Sequence, residues 1–130
     1  MIKFIDSANG LHHLHDCEII GIFTDRNNNF VEITIAMIEN DDRLCIILHN
    51  VSHFFMSHML TQNVILDLLL FDSHSESDYF FHCCDILDID PENFNFNKNT
   101  KIIYFEPSIG AEIACCFTDF SITTVTTATS

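Results

Sequence analysis

Between Leu44 and Asn97 the chain contains no lysine or arginine, and this absence is its most informative feature. The same interval carries eight acidic residues: Asp67, Asp72, Glu76, Asp78, Asp85, Asp88, Asp90 and Glu92. Over the whole chain five basic residues oppose 19 acidic ones, which gives a formal net charge of −14. Such a charge destabilises the compact state through self-repulsion. We therefore expect a compensating benefit, either a positively charged partner or simple solubility.

Other scarcities narrow the class of protein. Five lysines and arginines neutralise few phosphates, so nucleic acid and anionic membranes are disfavoured as direct partners. The apolar run Val64–Phe71 is interrupted by Asp67 and is too short to span a bilayer. The N-terminus lacks the long apolar segment of a signal peptide, and we expect a cytoplasmic protein. Because three glycines and two prolines leave little room for flexible linkers, the sequence predicts one globular domain over residues 1–125 and a frayed tail over 126–130.

Histidines and cysteines are plentiful, but their spacing does not define a metal site. They gather in two clusters: His12, His13, His15, Asp16 and Cys17 in one, and His82, Cys83, Cys84 and Asp85 in the other. Zinc ligands usually recur at spacings that bring two side chains to one side of a turn or helix, whereas adjacent cysteines point apart. Serine-nucleophile elbows and phosphate-binding glycine loops are absent. We therefore expect no cofactor, no metal and no enzymatic activity.

One alternative to this expectation is a metal-binding protein or a metal-dependent enzyme. Its ligands would be His12, His13 or His15 together with His74, His82 or a cysteine. A second alternative is a homo-oligomeric structural module. It would bury the phenylalanine pairs Phe54-Phe55 and Phe80-Phe81 between copies, and the oligomeric state is left open.

Alternation of apolar and polar residues with a period of two dominates the chain and predicts strands. Six segments are assigned as strands: 17–25, 30–38, 43–50, 63–71, 100–106 and 111–124. One short helix is predicted near residues 77–87, with a cap at Ser77 or Asp78. Its apolar face would consist of Phe80, Phe81, Cys84 and Leu87. Residues 51–61 are predicted as a short helix or an irregular cover, so the fold class is α+β, with a mostly antiparallel sheet of about six strands.

The segment Leu14–Ile19, which contains the dipeptide His15-Asp16, resembles the H-D-x-x-I strand start of a group of small bacterial proteins. Immunity proteins of polymorphic toxin systems belong to this group. The connector 50–54, the strand 63–70 and the terminal hairpin 104–116 are similar to the same pattern, although the connector usually carries glycine where this chain has Asn50. The resemblance implies a mostly antiparallel β protein that binds and blocks a toxin made beside it. It also implies that His15 and Asp16 are structural, with Asp16 accepting backbone N–H bonds where the first strand begins.

In this context the acidic middle of the chain predicts a binding function. Nuclease toxins attract phosphates and so carry basic clefts, which an acidic protein can occupy electrostatically. We expect Tyr79 to act as an apolar anchor inside a charged rim. The rim would consist of Asp72, Glu76, Asp78, Asp88, Asp90 and Glu92. The sequence thus predicts an immunity protein for a cognate toxin with a basic surface.

Overall fold

The computed structural model describes residues 14–38, 42–94 and 99–125. Within these ranges the chain forms eight strands, one α-helix and one short 3-10 helix. In chain order they are β1 (Glu18–Asp25), β2 (Phe30–Ala36), β3 (Arg43–His49), β4 (His53–Ser57), β5 (Val64–Phe71), α1 (Asp78–Leu87), the 3-10 helix Pro91–Asn93, β6 (Lys101–Ile109), β7 (Glu112–Phe117) and β8 (Asp119–Val125). The predicted α+β class with a mostly antiparallel sheet and one helix is confirmed, but the expected count of about six strands is wrong. The predicted tail, 126–130, lies outside the described residues.

All eight of these strands belong to one antiparallel sheet with the order β4-β7-β6-β5-β1-β2-β3-β8. The sheet has two four-stranded halves, because β1 and β5 share only the pair Glu18–Val64 at its centre. Two chain segments bend from one half to the other, β3 into β4 through Asn50–Ser52 and β7 into β8 through Thr118. The two bends lie side by side, since Thr118 N–H donates to His49 O at 3.1 Å. Strands that bend in this way allow two halves of a sheet to pack face to face.

The two halves of the sheet enclose the main hydrophobic core. Its buried residues come from both halves and include Val31, Ile33, Ile35, Ile46, Leu48, Leu68, Ile103, Phe105, Ile113, Cys115 and Phe117. A second core lies under α1 and contains Phe80, Cys83, Cys84, Leu87, Phe94, Ile102, Tyr104, Ala114 and Cys116. Because successive side chains point to opposite faces of a strand, β6 and β7 contribute to both cores. These two strands are therefore the support on which the helix rests.

Helix α1 forms where the sequence predicts a helix. Ser77 caps its start, with the hydroxyl accepting the N–H of Tyr79 at 3.2 Å, and Asp88 ends it in the left-handed conformation at φ 58°. The buried face differs from the prediction, because Cys83 is buried while Phe81 remains 37% exposed. The helix has ten residues, and no helix in the described part of the chain has the length and apolar character needed to cross a membrane.

The structure has two more strands than expected, because two segments of the chain bend at points that their apolar–polar pattern does not indicate. Residues 51–61, predicted as a short helix or an irregular cover, contain β4, and every residue of β4 pairs with β7. The predicted strand 111–124 divides at Thr118, where the chain passes between the halves of the sheet. Asn50 begins the other bend at φ 54°, in the left-handed region that favours glycine and tolerates asparagine. Apolar patterning reports that a residue is buried, but it does not report which half of the sheet buries it.

Candidate functional site

The residues predicted to bind a partner lie on α1 and on the segments that flank it. All seven are exposed: Asp72, Glu76, Asp78, Tyr79, Asp88, Asp90 and Glu92. They fall within residues 72–94, which run from the end of β5 through α1 to the end of the 3-10 helix and which we call the acidic layer. This layer contains no lysine or arginine. The predicted residues are therefore all exposed and lie on one continuous stretch of chain that contains no basic residue.

The outer face of α1 is acidic at both ends of the helix. Asp78 and Asp85 are seven residues apart, close to two helical turns, and so share a face. That face lies opposite the buried side chains of Phe80 and Leu87. Asp85 was not among the predicted partner-binding residues, although the helical period marks it as a neighbour of Asp78. The exposed carboxylates of the acidic layer include Asp85.

A pocket of about 380 Å³ opens beside the C-terminal end of α1. Three carboxylate residues and an apolar wall line it: Asp85, Asp88, Asp90, Phe81, Cys84, Ile89 and Pro91. The Asp90 side chain accepts the Glu92 N–H at 3.0 Å, which fixes the loop on one side of the pocket. An aromatic ring, that of Phe81, thus stands beside negative charge. A lysine or arginine side chain matches both features, through its charge and through a cation–π contact.

Tyr79, the predicted anchor, is attached to the sheet. Its hydroxyl donates to Glu106 Oε2 at 2.7 Å, and its ring centroid lies 6.0 Å from that of Tyr104. The bond to Glu106 raises the pKa of Tyr79, because a phenol that donates to a carboxylate retains its proton. The hydroxyl is therefore engaged within the molecule, and part of the ring remains exposed.

Three carboxylates stand in a row across β5, β6 and β7, under the edge of α1. Asp67 pairs with Glu106 in the β5–β6 ladder. Glu112 lies one step beyond the Phe105–Ile113 pair of the β6–β7 ladder, which places it beside Glu106. Like charges in such neighbouring positions destabilise a sheet. This carboxylate row was not predicted, although the register of a hairpin that turns over residues 107–111 would have placed Glu106 beside Glu112.

Hydrogen-bond donors from the helix and the sheet stabilise the carboxylate row. Glu112 Oε2 accepts the Tyr104 hydroxyl at 2.5 Å and lies 2.6 Å from His82 Nε2. Burial raises the pKa of Glu112, but the hydrogen bonds from Tyr104 and His82 outweigh it and hold the pKa below its ordinary value of 4.5. Burial, together with the bond to Glu112, raises the pKa of Tyr104 well above its usual range. These contacts tie α1 to the sheet and leave the outer face of the helix exposed.

His15 and Asp16 hold the turn before β1 against β5. Asp16 N–H donates to Ile65 O at 2.8 Å, and His15 Nδ1 lies 2.5 Å from Leu66 O. Asp16 adopts φ 66°, a conformation that aspartate tolerates better than most residues. Asp16 thus contacts β5 by donating its backbone N–H. The resemblance implied instead that the Asp16 carboxylate accepts backbone N–H groups.

The histidine and cysteine clusters do not assemble a metal centre in the described residues. Within 14–38, 42–94 and 99–125 no three histidine, cysteine, aspartate or glutamate side chains are placed to hold a metal ion. His12 and His13, two candidate ligands of the metal alternative, lie outside these ranges. Burial raises the pKa of Cys83 to about 12 and that of Cys84 to about 11, so neither thiol ionises readily. Both side chains pack in the core beneath α1.

No protein-family model, curated protein or solved structure matches this chain. The chemistry of the acidic layer is therefore the basis for assigning a function: exposed carboxylates without basic neighbours in sequence, and a pocket that suits a cationic side chain.

Proposed function

We propose that this protein is an immunity protein that binds and neutralises a cognate bacterial toxin through the acidic layer. The observation that carries the proposal is the concentration of exposed carboxylates on α1 and its flanking segments, with no lysine or arginine between residues 72 and 94. A net charge of −14 already favours a positively charged partner. The acidic layer provides a defined surface for that attraction.

The proposed class of toxin follows from this surface. A nuclease must hold phosphates and therefore presents a basic cleft. Helix α1 is a rod about 10–12 Å across, and its acidic outer face can enter such a cleft. Complementary charge accelerates association to about 10⁸–10⁹ M⁻¹ s⁻¹ at low salt. Because exposed charges are screened beyond about 10 Å at 0.1 M salt, we expect the association rate to fall as the salt concentration rises.

The pocket at the end of α1 gives the proposed interface a centre. Interfaces concentrate their binding energy in a few anchors surrounded by a polar rim. We assign the centre to Phe81 and its neighbours Asp85, Asp88 and Asp90, with a lysine or arginine of the toxin entering between them. Tyr79 is less suited to be the centre, because its hydroxyl is already bound to Glu106.

The resemblance to small bacterial immunity proteins supports the same function. His15 and Asp16 of the H-D-x-x-I start hold the first turn against β5, as structural residues would. Asn50 stands where that pattern usually carries glycine, and its φ of 54° is a conformation that glycine adopts without strain.

The experiment compares two triple variants that change the net charge equally. The acidic-layer variant combines Asp78→Asn, Asp85→Asn and Asp88→Asn, all on α1 or its C-cap. The control combines Asp16→Asn, Glu18→Gln and Asp119→Asn, which lie outside residues 72–94. We expect the gene immediately upstream to encode a multidomain toxin, and its purified toxic domain is the binding partner. Stopped-flow fluorescence gives association rates, and a nuclease assay gives inhibition.

At about 20 mM salt the acidic-layer variant is expected to associate about tenfold more slowly than the natural protein, and the control less than about threefold. At about 500 mM salt both differences should nearly vanish. Equal slowing by the two variants would mean that net charge acts without a defined surface, and the acidic layer would be the wrong site. A natural protein that neither binds nor inhibits the toxic domain would refute the immunity function.

A further inference from the structure

The pocket at the C-terminal end of α1 has a mixed lining, and the mixture narrows what it can hold. Four of its seven lining residues are apolar: Phe81, Cys84, Ile89 and Pro91. The other three are Asp85, Asp88 and Asp90. Its volume of about 380 Å³ lies near the lower end of the range of about 300–1,000 Å³ that is typical of ligand sites. A pocket of this size suits a single side chain or a comparable small group.

The apolar wall includes an aromatic ring that the fold holds in place. The Phe81 ring lies edge-on to the rings of Phe80 and His74, with centroid distances of 5.7 and 5.9 Å. Phe80 is fully buried in the core beneath α1, whereas Phe81 is 37% exposed. Cations are attracted to the face of an aromatic ring. The exposed part of Phe81 therefore indicates a cationic ligand through an observation that does not depend on the aspartates.

Hydrogen bonds at the end of α1 fix the segment that carries the aspartates. Asp88 ends the helix at φ 58°, and its N–H donates to Asp85 O at 3.2 Å. The Asp90 carboxylate is engaged within the fold, because it accepts the Glu92 N–H at 3.0 Å and the Asn93 side-chain amide at 3.4 Å. The Asp85 and Asp88 side chains are exposed, and they accept no hydrogen bond in the described part of the chain. We therefore assign these two carboxylates as the acceptors for a ligand.

Lysine and arginine are both cationic, but arginine fits this lining better. The ammonium group of lysine is a compact and strongly hydrated charge, whereas the guanidinium group of arginine is planar, more weakly hydrated and carries five N–H donors in a fixed fork. A guanidinium can donate to carboxylates along its edge while its plane stacks on an aromatic ring. We propose that this pocket is an arginine site, in which a guanidinium group stacks on Phe81 and donates to the carboxylates of Asp85 and Asp88.

The source of the arginine rests on the proposed function, because the side chain would belong to the basic surface of the toxin. The preference for arginine does not require a toxin, since the pocket is formed by this chain alone. A short peptide that carries one arginine is therefore a sufficient probe. Because such a peptide lacks the remainder of the interface, we expect a dissociation constant of about 1–10 mM.

Two-dimensional amide NMR of the full chain, titrated with peptide in about 50 mM NaCl, tests the site. The probes are two capped tripeptides, one with arginine and one with lysine between two glycines, so that their length and charge are equal. Phe81→Leu removes the ring from the pocket and keeps an apolar side chain and the same net charge. Phe23→Leu is its matched control, since Phe23 is 56% exposed and lies on β1 in the other half of the sheet. The dispersion of the same spectra verifies that each variant is folded.

A second pair of variants tests the carboxylates at equal net charge. Asp85→Asn with Asp88→Asn removes the two assigned acceptors, and Glu18→Gln with Asp119→Asn removes two carboxylates outside residues 72–94. We expect the first double variant to weaken binding of the arginine peptide at least about fivefold, and the second less than about twofold. Equal weakening by the two double variants would mean that net charge alone attracts the peptide, and the arginine site would be wrong.

The natural protein is expected to bind the arginine peptide at least about fivefold more tightly than the lysine peptide. The amide signals that shift should belong mainly to residues 81–91. Phe81→Leu should reduce the preference to less than about twofold, and Phe23→Leu should leave it unchanged. Equal affinities for the two peptides, a preference that survives Phe81→Leu, or no binding at about 20 mM arginine peptide would each overturn the proposal.

Failure of the arginine site and failure of the proposed function give different results. Selective binding of the arginine peptide by a protein that does not inhibit the toxic domain would refute the immunity function and leave the site in place. Inhibition of the toxic domain by a protein that does not distinguish the two peptides would refute the arginine site and leave the immunity function in place.

Discussion

The attachment of α1 to the sheet centres on Glu112, and Glu112→Gln measures how much that attachment stabilises the fold. Glutamine keeps the size and one oxygen acceptor but removes the negative charge that the Tyr104 hydroxyl and His82 face. Hydrogen bonds to charged groups contribute about 1.5–3 kcal/mol each and neutral ones about 0.5–1.5 kcal/mol. Two bonds would thus lose about 2 kcal/mol together. The His82 and Glu112 side chains are 43% and 22% exposed, so hydrogen bonds to water replace part of the lost interaction. We therefore expect Glu112→Gln to lower the free energy of unfolding by about 1–2 kcal/mol.

Urea unfolding followed by far-UV circular dichroism provides the assay. With a slope of about 1–3 kcal/mol per molar urea, the expected loss lowers the midpoint by about 0.5–1 M. Tyr104→Phe removes one of the two donors to Glu112. The double variant should therefore lose less stability than the sum of the losses in the two single variants. Glu92→Gln, an exposed carboxylate of the acidic layer, is the control and should change stability by less than about 0.5 kcal/mol. Equal midpoints for Glu112→Gln and Glu92→Gln would refute the reasoning.

The same substitution has a pH dependence with a definite sign. The pKa of Glu112 in the folded state lies below its ordinary value of 4.5, so the unfolded chain binds this proton more readily than the folded one. Its contribution to the free energy of unfolding is therefore complete above about pH 5 and is lost as the pH falls through the lowered pKa. The difference between the natural protein and Glu112→Gln should be largest at about pH 7 and shrink below about pH 4. A difference that stays constant across this range would contradict the assignment.

Two further predictions concern the turn at residue 110 and the buried thiols. Gly110→Ala should destabilise the protein by about 3 kcal/mol or more, because φ is +83° and the added Cβ meets Asn63. Gly21→Ala, whose Cβ would approach no atom closer than 3.9 Å, should change stability by less than about 1 kcal/mol in the same urea assay. Cys83, with its pKa raised to about 12, should react with a thiol reagent at about pH 8 only as fast as the protein unfolds. Rapid labelling of Cys83 in the native protein, followed by mass spectrometry, would contradict this burial.

Parts of the fold were predictable because their signals are local. The strands β1, β2 and β3 lie within segments of apolar alternation, and the turn after β1 is held by the Asp25 carboxylate, which accepts the Asn28 N–H at 2.9 Å. Helix α1 begins next to Ser77, one of the two predicted caps. In each case a few residues close together in the sequence determine the structure, so the sequence alone is enough to predict it.

The remainder depends on contacts between distant segments. β4 is apolar toward both cores, and its identity as a strand follows from pairing with β7, about 60 residues away in sequence. The carboxylate row depends on the register of three strands, which no single segment specifies. The sequence pattern assigned Phe81 to the buried face of α1, but in the structure Cys83 is buried and Phe81 is exposed. The side from which the sheet covers the helix decides which of these two apolar residues is buried.

The molecule uses its carboxylates in two ways, and the difference bears on why so many are present. Glu106 and Glu112 each accept hydrogen bonds from within the fold, so their charge contributes to holding α1 in place. The carboxylates of the acidic layer are exposed, and their mutual repulsion acts against the folded state. Solubility alone is served by a net charge with a magnitude of about 2–8 on a small domain, and the net charge of this chain, −14, is larger in magnitude. The proposed partner with a basic surface would use the carboxylates concentrated in residues 72–94. It follows that binding such a partner should relieve the repulsion and raise the free energy of unfolding of this protein.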